Sequence, residues 1–361
     1  MFGPKTGNKI EQHIYTRGKS TLFQQREGFG TLAMSSGLSE VFVKERIHPY
    51  CVYPPSNTND LPHPNAITTI QYPCGKMLIS QAVYTETDYT GQRAAFFAHN
   101  YILAPHTASQ AIKNIKCIEN IAFLTEYSGQ TLEPLTKLPF SPITKLQASP
   151  PPNIDFEKLA KYITSCVYSA KKTYIIANRE DIWPILSTLY DNLPKEVAHR
   201  LGFCTYSTQP IDKRGIHLIF LNGEMSTKVT RDFVFNFVAG KDCLPNNKLS
   251  SIYDLSFEKF LQEINFLSIR IPLQELSFIE DAWLEKNLHK LSTEQLSHTP
   301  EGFIKRGKIG AKPELYVILG ICKTLINREQ NVDLRYLLGS YALSKDSHDK
   351  ICKILQLVNT I

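Results

Sequence analysis

Along the first 145 residues, short runs of Ile, Val, Tyr, Phe and Thr alternate with clusters of Gly, Pro, Asn and Asp. Gln12–Thr16, Thr31–Met34, Ala66–Tyr72, Lys76–Tyr84 and Phe96–Ala104 have the length and make-up of strands. Punctuation by turn residues predicts that they form a mainly antiparallel sheet. Two helices are expected beside it, Glu40–Arg46, stopped by His48-Pro49, and Thr107–Lys116. Pro54–Pro64 (PPSNTNDLPHP) has no period and reads as a surface loop.

Six prolines between Leu132 and Pro152 exclude a helix or a central strand there, because proline lacks the amide donor. A domain boundary is placed in that stretch. Beyond it, Phe156, Leu159, Tyr162, Ile163, Cys166 and Val167 mark one face of a helix over Asp155–Ser169. A strand at Thr173–Ala177 follows, then a helix at Asp181–Tyr190 with Pro184 in its first turn. A short basic helix near Pro194–Arg200 and strands at Gly202–Ser207 and Ile216–Leu221 complete a compact α/β unit ending near Ser250.

From Ser256 the period is helical throughout. Phe257, Phe260, Leu261 and Ile264 form one stripe, and Leu276, Ile279, Trp283, Leu284 and Leu288 a second. Leu315, Ile318, Leu319, Cys322 and Leu325 form a third, with further stripes at Leu334–Tyr341 and Ile351–Val358. The basic, glycine-containing stretch Thr299–Pro313 reads as a loop between the second and third. The expected architecture is therefore an α+β multidomain chain. A β-rich N-terminal domain spans 1–148, a small α/β middle domain 149–252 and an all-α bundle 253–361.

Composition narrows the functional classes. The chain has 361 residues, enough for two or three domains. Its net charge of +6 is too dilute to imply nucleic acid. No apolar run approaches the roughly 20 residues of a spanning helix, and the first twenty residues lack the apolar core of a secretory signal, so a cytoplasmic protein is expected. The eight cysteines form no CxxC pair and no cluster with histidine, so neither a metal nor a disulfide framework is expected.

The motif search returns no catalytic signature. Gly18-Lys19-Ser20 resembles the end of a phosphate-binding loop, but the required earlier glycine is replaced by His13. GxGxxG, HExxH and GxSxG are absent. No cofactor is expected. The remaining polar concentration runs from Thr85 to Arg93 and leads into Phe96-Phe97-Ala98-His99-Asn100. Strand alternation puts Phe97, His99 and Tyr101 on one face. His99 is a candidate general base with Asp88 as its orienting carboxylate, against the simpler readings of a buried neutral imidazole and a turn aspartate. Arg93, with Tyr15 and Arg17 at the end of the first strand, is a candidate group for an anionic ligand or partner.

Three stretches resemble a known family. QHIYTRGKSTLFQQREGFGTLAMSSGLS (Gln12–Ser39) looks like the opening of the N-terminal domain, second type, of bacterial GTPase-associated protein one. DYTGQRAAFFAHNYIL (Asp88–Leu103) is similar to that domain's Asp, aromatic, Thr or Ser, Gly, Arg and Phe-Phe-Ala-His pattern. Here Gln92 is inserted before the arginine, and Ala94-Ala95 stands where the family tends to carry Gly and Asn. Leu193-Pro194 and Leu201-Gly202-Phe203-Cys204-Thr205-Tyr206-Ser207 resemble the middle domain, with Gly202 and Cys204 in place of two serines. The helical C-terminal third carries no such resemblance.

The resemblance implies a non-catalytic partner in multi-gene bacterial conflict or defence systems that include a GTPase. It assigns no arginine finger. The expectation is therefore a scaffold or regulator acting with a GTPase or other partner proteins of its system, without a membrane and without nucleic acid. Two rivals are carried beside it. One is a hydrolase or transferase using His99, Asp88 and Arg93. The other is a nucleotide or nucleic-acid module using Arg17, Arg93 and the loop at 305–312.

Overall fold

The computed structural model describes residues 9–53, 63–129, 131–140, 154–167, 171–221, 232–244, 252–257, 259–260, 262–263, 273–296, 315–328 and 349. The chain forms two compact units, Met1–Leu193 with Val197–Asn246, and Pro194–Glu196 with Asn247–Ile361.

The first unit is built on one 10-stranded sheet of order β10-β9-β6-β8-β7-β3-β4-β5-β1-β2. The N-terminal strands are β1 (Glu11–Gly18), β2 (Gly28–Met34), β3 (Ala66–Gln71), β4 (Met77–Thr85) and β5 (Ala95–Leu103). All pair antiparallel, as their turn spacing predicts. Strands β6 (Thr173–Ile176), β7 (Phe203–Ser207), β8 (Leu218–Leu221) and β9 (Phe233–Asn236) run parallel, with β10 (Lys241–Cys243) returning antiparallel at the edge. Strands β6, β7 and β8 are buried along their whole length, as continuous apolar runs in a parallel sheet should be. The last two strands were not anticipated: Phe233–Asn236 follows an undescribed segment, and Lys241–Cys243 is polar and exposed.

The two halves of the sheet meet where β3 lies antiparallel to β7, registered at Thr68 and Cys204. The ladder there is short, and threonine side chains extend it. Ile67 N–H donates to Thr205 Oγ1 at 2.9 Å, and Phe203 N–H to Thr69 Oγ1 at 3.3 Å. Gly202 allows the close approach, because a Cβ there would lie 1.9 Å from the Gly215 carbonyl oxygen and 2.7 Å from that of Thr69.

One face of the sheet packs under the segment after β2. Helix α1 (Glu40–Phe42), capped by the Ser39 hydroxyl, widens into a π-helical turn at Val43–Ile47 and tightens into a 3₁₀ turn at His48–Tyr50. The regular helix expected over Glu40–Arg46 is thus irregular, and the π turn ends at the residue before His48-Pro49. Val43, Ile47 and Cys51 bury against Ala98, Ile102, Leu78 and Ile70 of the sheet. On the other face Ile14, Ala33, Val83, Phe97 and Leu132 form a smaller core. Helices α2 (Pro105–Lys113), α3 (Phe156–Val167) and α4 (Ile182–Asn192) match the predicted apolar faces within a few residues.

In the second unit, helices Leu273–Asn287 and Leu315–Asn327 match the expected second and third stripes. Trp283 stacks on Phe260 at 4.3 Å between ring centres, and Ile279, Leu284, Ile318, Cys322 and Leu325 are buried. The expected stripes at 334–341 and 351–358, the loop at 299–313 and most of the loop at 54–64 lie outside the described residues.

Candidate functional site

Two polar assemblies form where β1 lies between β5 and β2. Alternation sends successive side chains of these strands to opposite faces, so the two assemblies occupy different sides of the sheet.

On the smaller-core side, His99 is fully buried, with its ring 4.5 Å from Tyr101 and 5.9 Å from Phe123. The backbone N–H of Leu124 donates to its Nδ1 at 3.0 Å. That nitrogen is therefore unprotonated, and Nε2–H donates to Gln12 Oε1 at 3.2 Å. The Gln12 amide is oriented by its own Nε2, which donates to the Glu133 carbonyl oxygen at 2.6 Å. Burial pushes the His99 imidazole down to about 4. Both ring nitrogens are occupied in a neutral ring.

On the other side, His13 anchors a chain of hydrogen bonds. The Cys51 thiol lies 3.5 Å from Asn100 Oδ1, and Asn100 Nδ2 donates to His13 Nδ1 at 3.0 Å. His13 Nε2–H then donates to Thr31 Oγ1 at 2.9 Å, and the Thr31 hydroxyl donates to His48 Nε2 at 2.8 Å. A β-bulge makes this possible. Ile14 pairs with Ala33 but Tyr15 pairs with Thr31, so Leu32 is passed over and Thr31, in its place, faces His13. Burial, then the neighbouring His48 and His99, push the His13 imidazole down to about 3. Burial also drives the Cys51 thiol up to about 12, so it is a neutral donor without thiolate reactivity.

At the end of β1, Arg17 and Arg93 converge on one carboxylate. Arg17 Nη2 donates to Glu27 Oε1 at 2.6 Å, and Arg93 Nη1 lies 3.7 Å from the same oxygen. Arg17 Nε is 3.2 Å from Asp88 Oδ2. The other Asp88 oxygen accepts from the Thr90 hydroxyl and from the Thr90 N–H, the latter at 2.9 Å. These Thr90 bonds, with Arg17 behind them, hold the Asp88 carboxyl below the ordinary carboxylate range. Glu27 is held low chiefly by its bond to Arg17. Arg93 remains 63% exposed. Tyr15 is half-buried, its ring 4.8 Å from His48 and 6.2 and 6.1 Å from Phe29 and Phe96, which stack on each other at 4.5 Å.

Of the residues singled out in the sequence, the structure therefore brings together Arg17, Arg93 and Asp88, with Tyr15 close by along β1. It does not bring Asp88 to His99, whose ring bonds go to Gln12 and Leu124. Glu27, His13, Thr31, His48 and Cys51 escaped notice. Glu27 sits in an unremarkable polar run, and Thr31 meets His13 through a bulge at Leu32, for which Gly30 within the strand was the one local signal. Asn100 and His13 pair across adjacent strands, but each has a polar neighbour in sequence, His99 and Gln12, so nothing local singled out the pair.

Among the described residues, no group of three or more His, Cys, Asp or Glu is placed to hold a metal ion, and no helix is long and apolar enough to cross a membrane. Residues 9–138 match the model of the GTPase-associated protein 1 N-terminal domain type 2, and residues 146–239 match that of the GTPase-associated protein 1 middle domain. The comparison with curated proteins gives no match. With both domain models matched in order over the sheet-bearing part of the molecule, the chain belongs to the GTPase-associated protein 1 family.

Proposed function

We propose that the chain is a non-catalytic scaffold or regulatory subunit of a bacterial multi-protein conflict or defence system, acting with a GTPase or other partner proteins. The observation that carries this reading is the occupancy of the candidate base. His99 is neutral, buried and bonded at both nitrogens, while Asp88 is bound by Arg17 and Thr90. General base catalysis needs an accessible lone pair within reach of a substrate proton. The lone pair on His99 Nδ1 instead accepts from the Leu124 backbone.

In this reading the β-rich portion to residue 148 is a sensor or docking module, 149–252 a small α/β domain, and 253–361 a helical bundle offering a partner surface. Its polar contact group is Tyr15, Arg17 and Arg93, with the exposed Arg93 reaching furthest outward. The protein is read as cytoplasmic and as using no cofactor.

Turnover assays on the purified full chain test the non-catalytic half of the proposal. Nucleotides, esters and phosphomonoesters are expected to show no turnover above background. Turnover that disappears in His99→Ala, with the variant still folded, would overturn it.

A further inference from the structure

At the junction of β3 and β7 the first unit contains a cavity of about 220 Å³. Its walls come from both matched segments. Tyr50 and Val52 follow α1, whereas Ile211, Lys213 and Ile216 lie on the connection between β7 and β8. Two bonds clamp these walls together: the Tyr50 hydroxyl donates to the Arg214 carbonyl oxygen at 2.7 Å, and Lys213 Nζ donates to the Pro49 carbonyl oxygen.

The lining surface is mostly hydrocarbon, and it carries one cation, Lys213, and one exposed carboxylate, Asp212. An apolar cavity of about 150 Å³ holds benzene, so this one has room for a ring and a short polar appendage. Lys213 carries three N–H donors, one of them used on Pro49. Burial depresses the pKa of its ammonium, and the nearby thiols of Cys51 and Cys204, kept neutral by their own burial, offer it no counter-charge. Among the described residues no carboxylate acts on it. Asp212 also lines the cavity; it is exposed, and its carboxylate acts on Lys172 and Tyr174. A half-buried ammonium against hydrocarbon is costly until an anion shares its surroundings.

We propose that this cavity binds a small apolar monocarboxylic acid, its carboxylate on Lys213 Nζ and its hydrocarbon body between Tyr50, Val52 and Ile216. Such a molecule satisfies the cation and the apolar wall together, and because it touches both halves of the sheet it stabilises their junction by mass action. The proposal goes beyond the partner role and stands without it.

Phenylacetate and the neutral benzyl alcohol, titrated into the full chain by calorimetry and by thermal unfolding, test it. Phenylacetate is expected to bind, to raise Tm and to bind more tightly than benzyl alcohol. Lys213→Met is expected to weaken phenylacetate about tenfold, the loss of one charge-assisted bond, and to leave benzyl alcohol unchanged. Val52 is 51% exposed at the mouth, so Val52→Trp should fold normally and block both probes even where Lys213→Met does not fold. The proposal is overturned by equal binding of the two probes, by phenylacetate affinity that survives Lys213→Met, or by binding of both that survives Val52→Trp.

Discussion

Thr31 is the residue on which the buried polar chain turns, because its hydroxyl accepts from His13 and donates to His48 in the same structure. Thr31→Val keeps the shape and removes both bonds. It leaves the His13 Nε2–H sealed without a partner, at a cost of about 1–3 kcal/mol. Thr31→Ser keeps the hydroxyl and should recover most of that loss. Urea unfolding of the two variants checks this, and equal stability of the valine and serine proteins would contradict it.

The same burial gives stability a pH dependence of fixed sign. His13, His99 and His217 have ordinary values of 6.5 and are pushed down in the folded chain to about 3, about 4 and about 4. Below pH 6.5 the unfolded state therefore binds protons that the folded state refuses, and stability falls with pH until the folded values are reached. Each neutral ring costs roughly 2 kcal/mol at pH 5 relative to pH 7.5. Unfolding curves at these two pH values should show the drop, and an unchanged midpoint would show that the rings are hydrated and charge freely.

Among the elements, the junction of β3 and β7 is the most demanding. Gly202 faces backbone on two sides, so neither obstacle can swing aside as a flexible side chain would. Gly202→Ala is expected to destabilise the chain by about 3 kcal/mol or more, through overpacking at a place where the sheet itself must part. A native-like midpoint in thermal unfolding would refute the close approach. Gly75, at φ +80°, is a gentler case, a turn position where any other residue is strained.

The five N-terminal strands were legible because each carries β-branched or aromatic residues between turn residues, and the helices because their stripes are long. What could not be read was pairing beyond neighbours. Ala66–Gln71 looks like any half-buried strand, and nothing local says that Thr68 meets Cys204 across the junction. The alternation around His99 was correctly read from the strand, placing it beside Tyr101, but the ring's partners were not. Gln12 and Leu124 lie 87 and 25 residues away. The convergence of Arg17 and Arg93 followed from two turns at one end of the sheet, whereas Glu27, which both arginines reach, had no sequence signal.

For the molecule as a whole, the continuous sheet joins the two family segments into one body, and the hydrogen bonds of His13, Asn100, Thr31 and His99 go into fixing that body's shape. In the proposed reading the chain acts through its surface. Membership in a GTPase-associated family gives that surface a class of partner to meet. Affinity isolation of the full-length chain from its own cells, at native abundance, with mass-spectrometric identification of what comes with it, tests this most directly. The account predicts a stoichiometric complex with a GTPase or another partner protein, lost in Arg93→Glu. Recovery of the chain alone, without any stoichiometric partner, would contradict it.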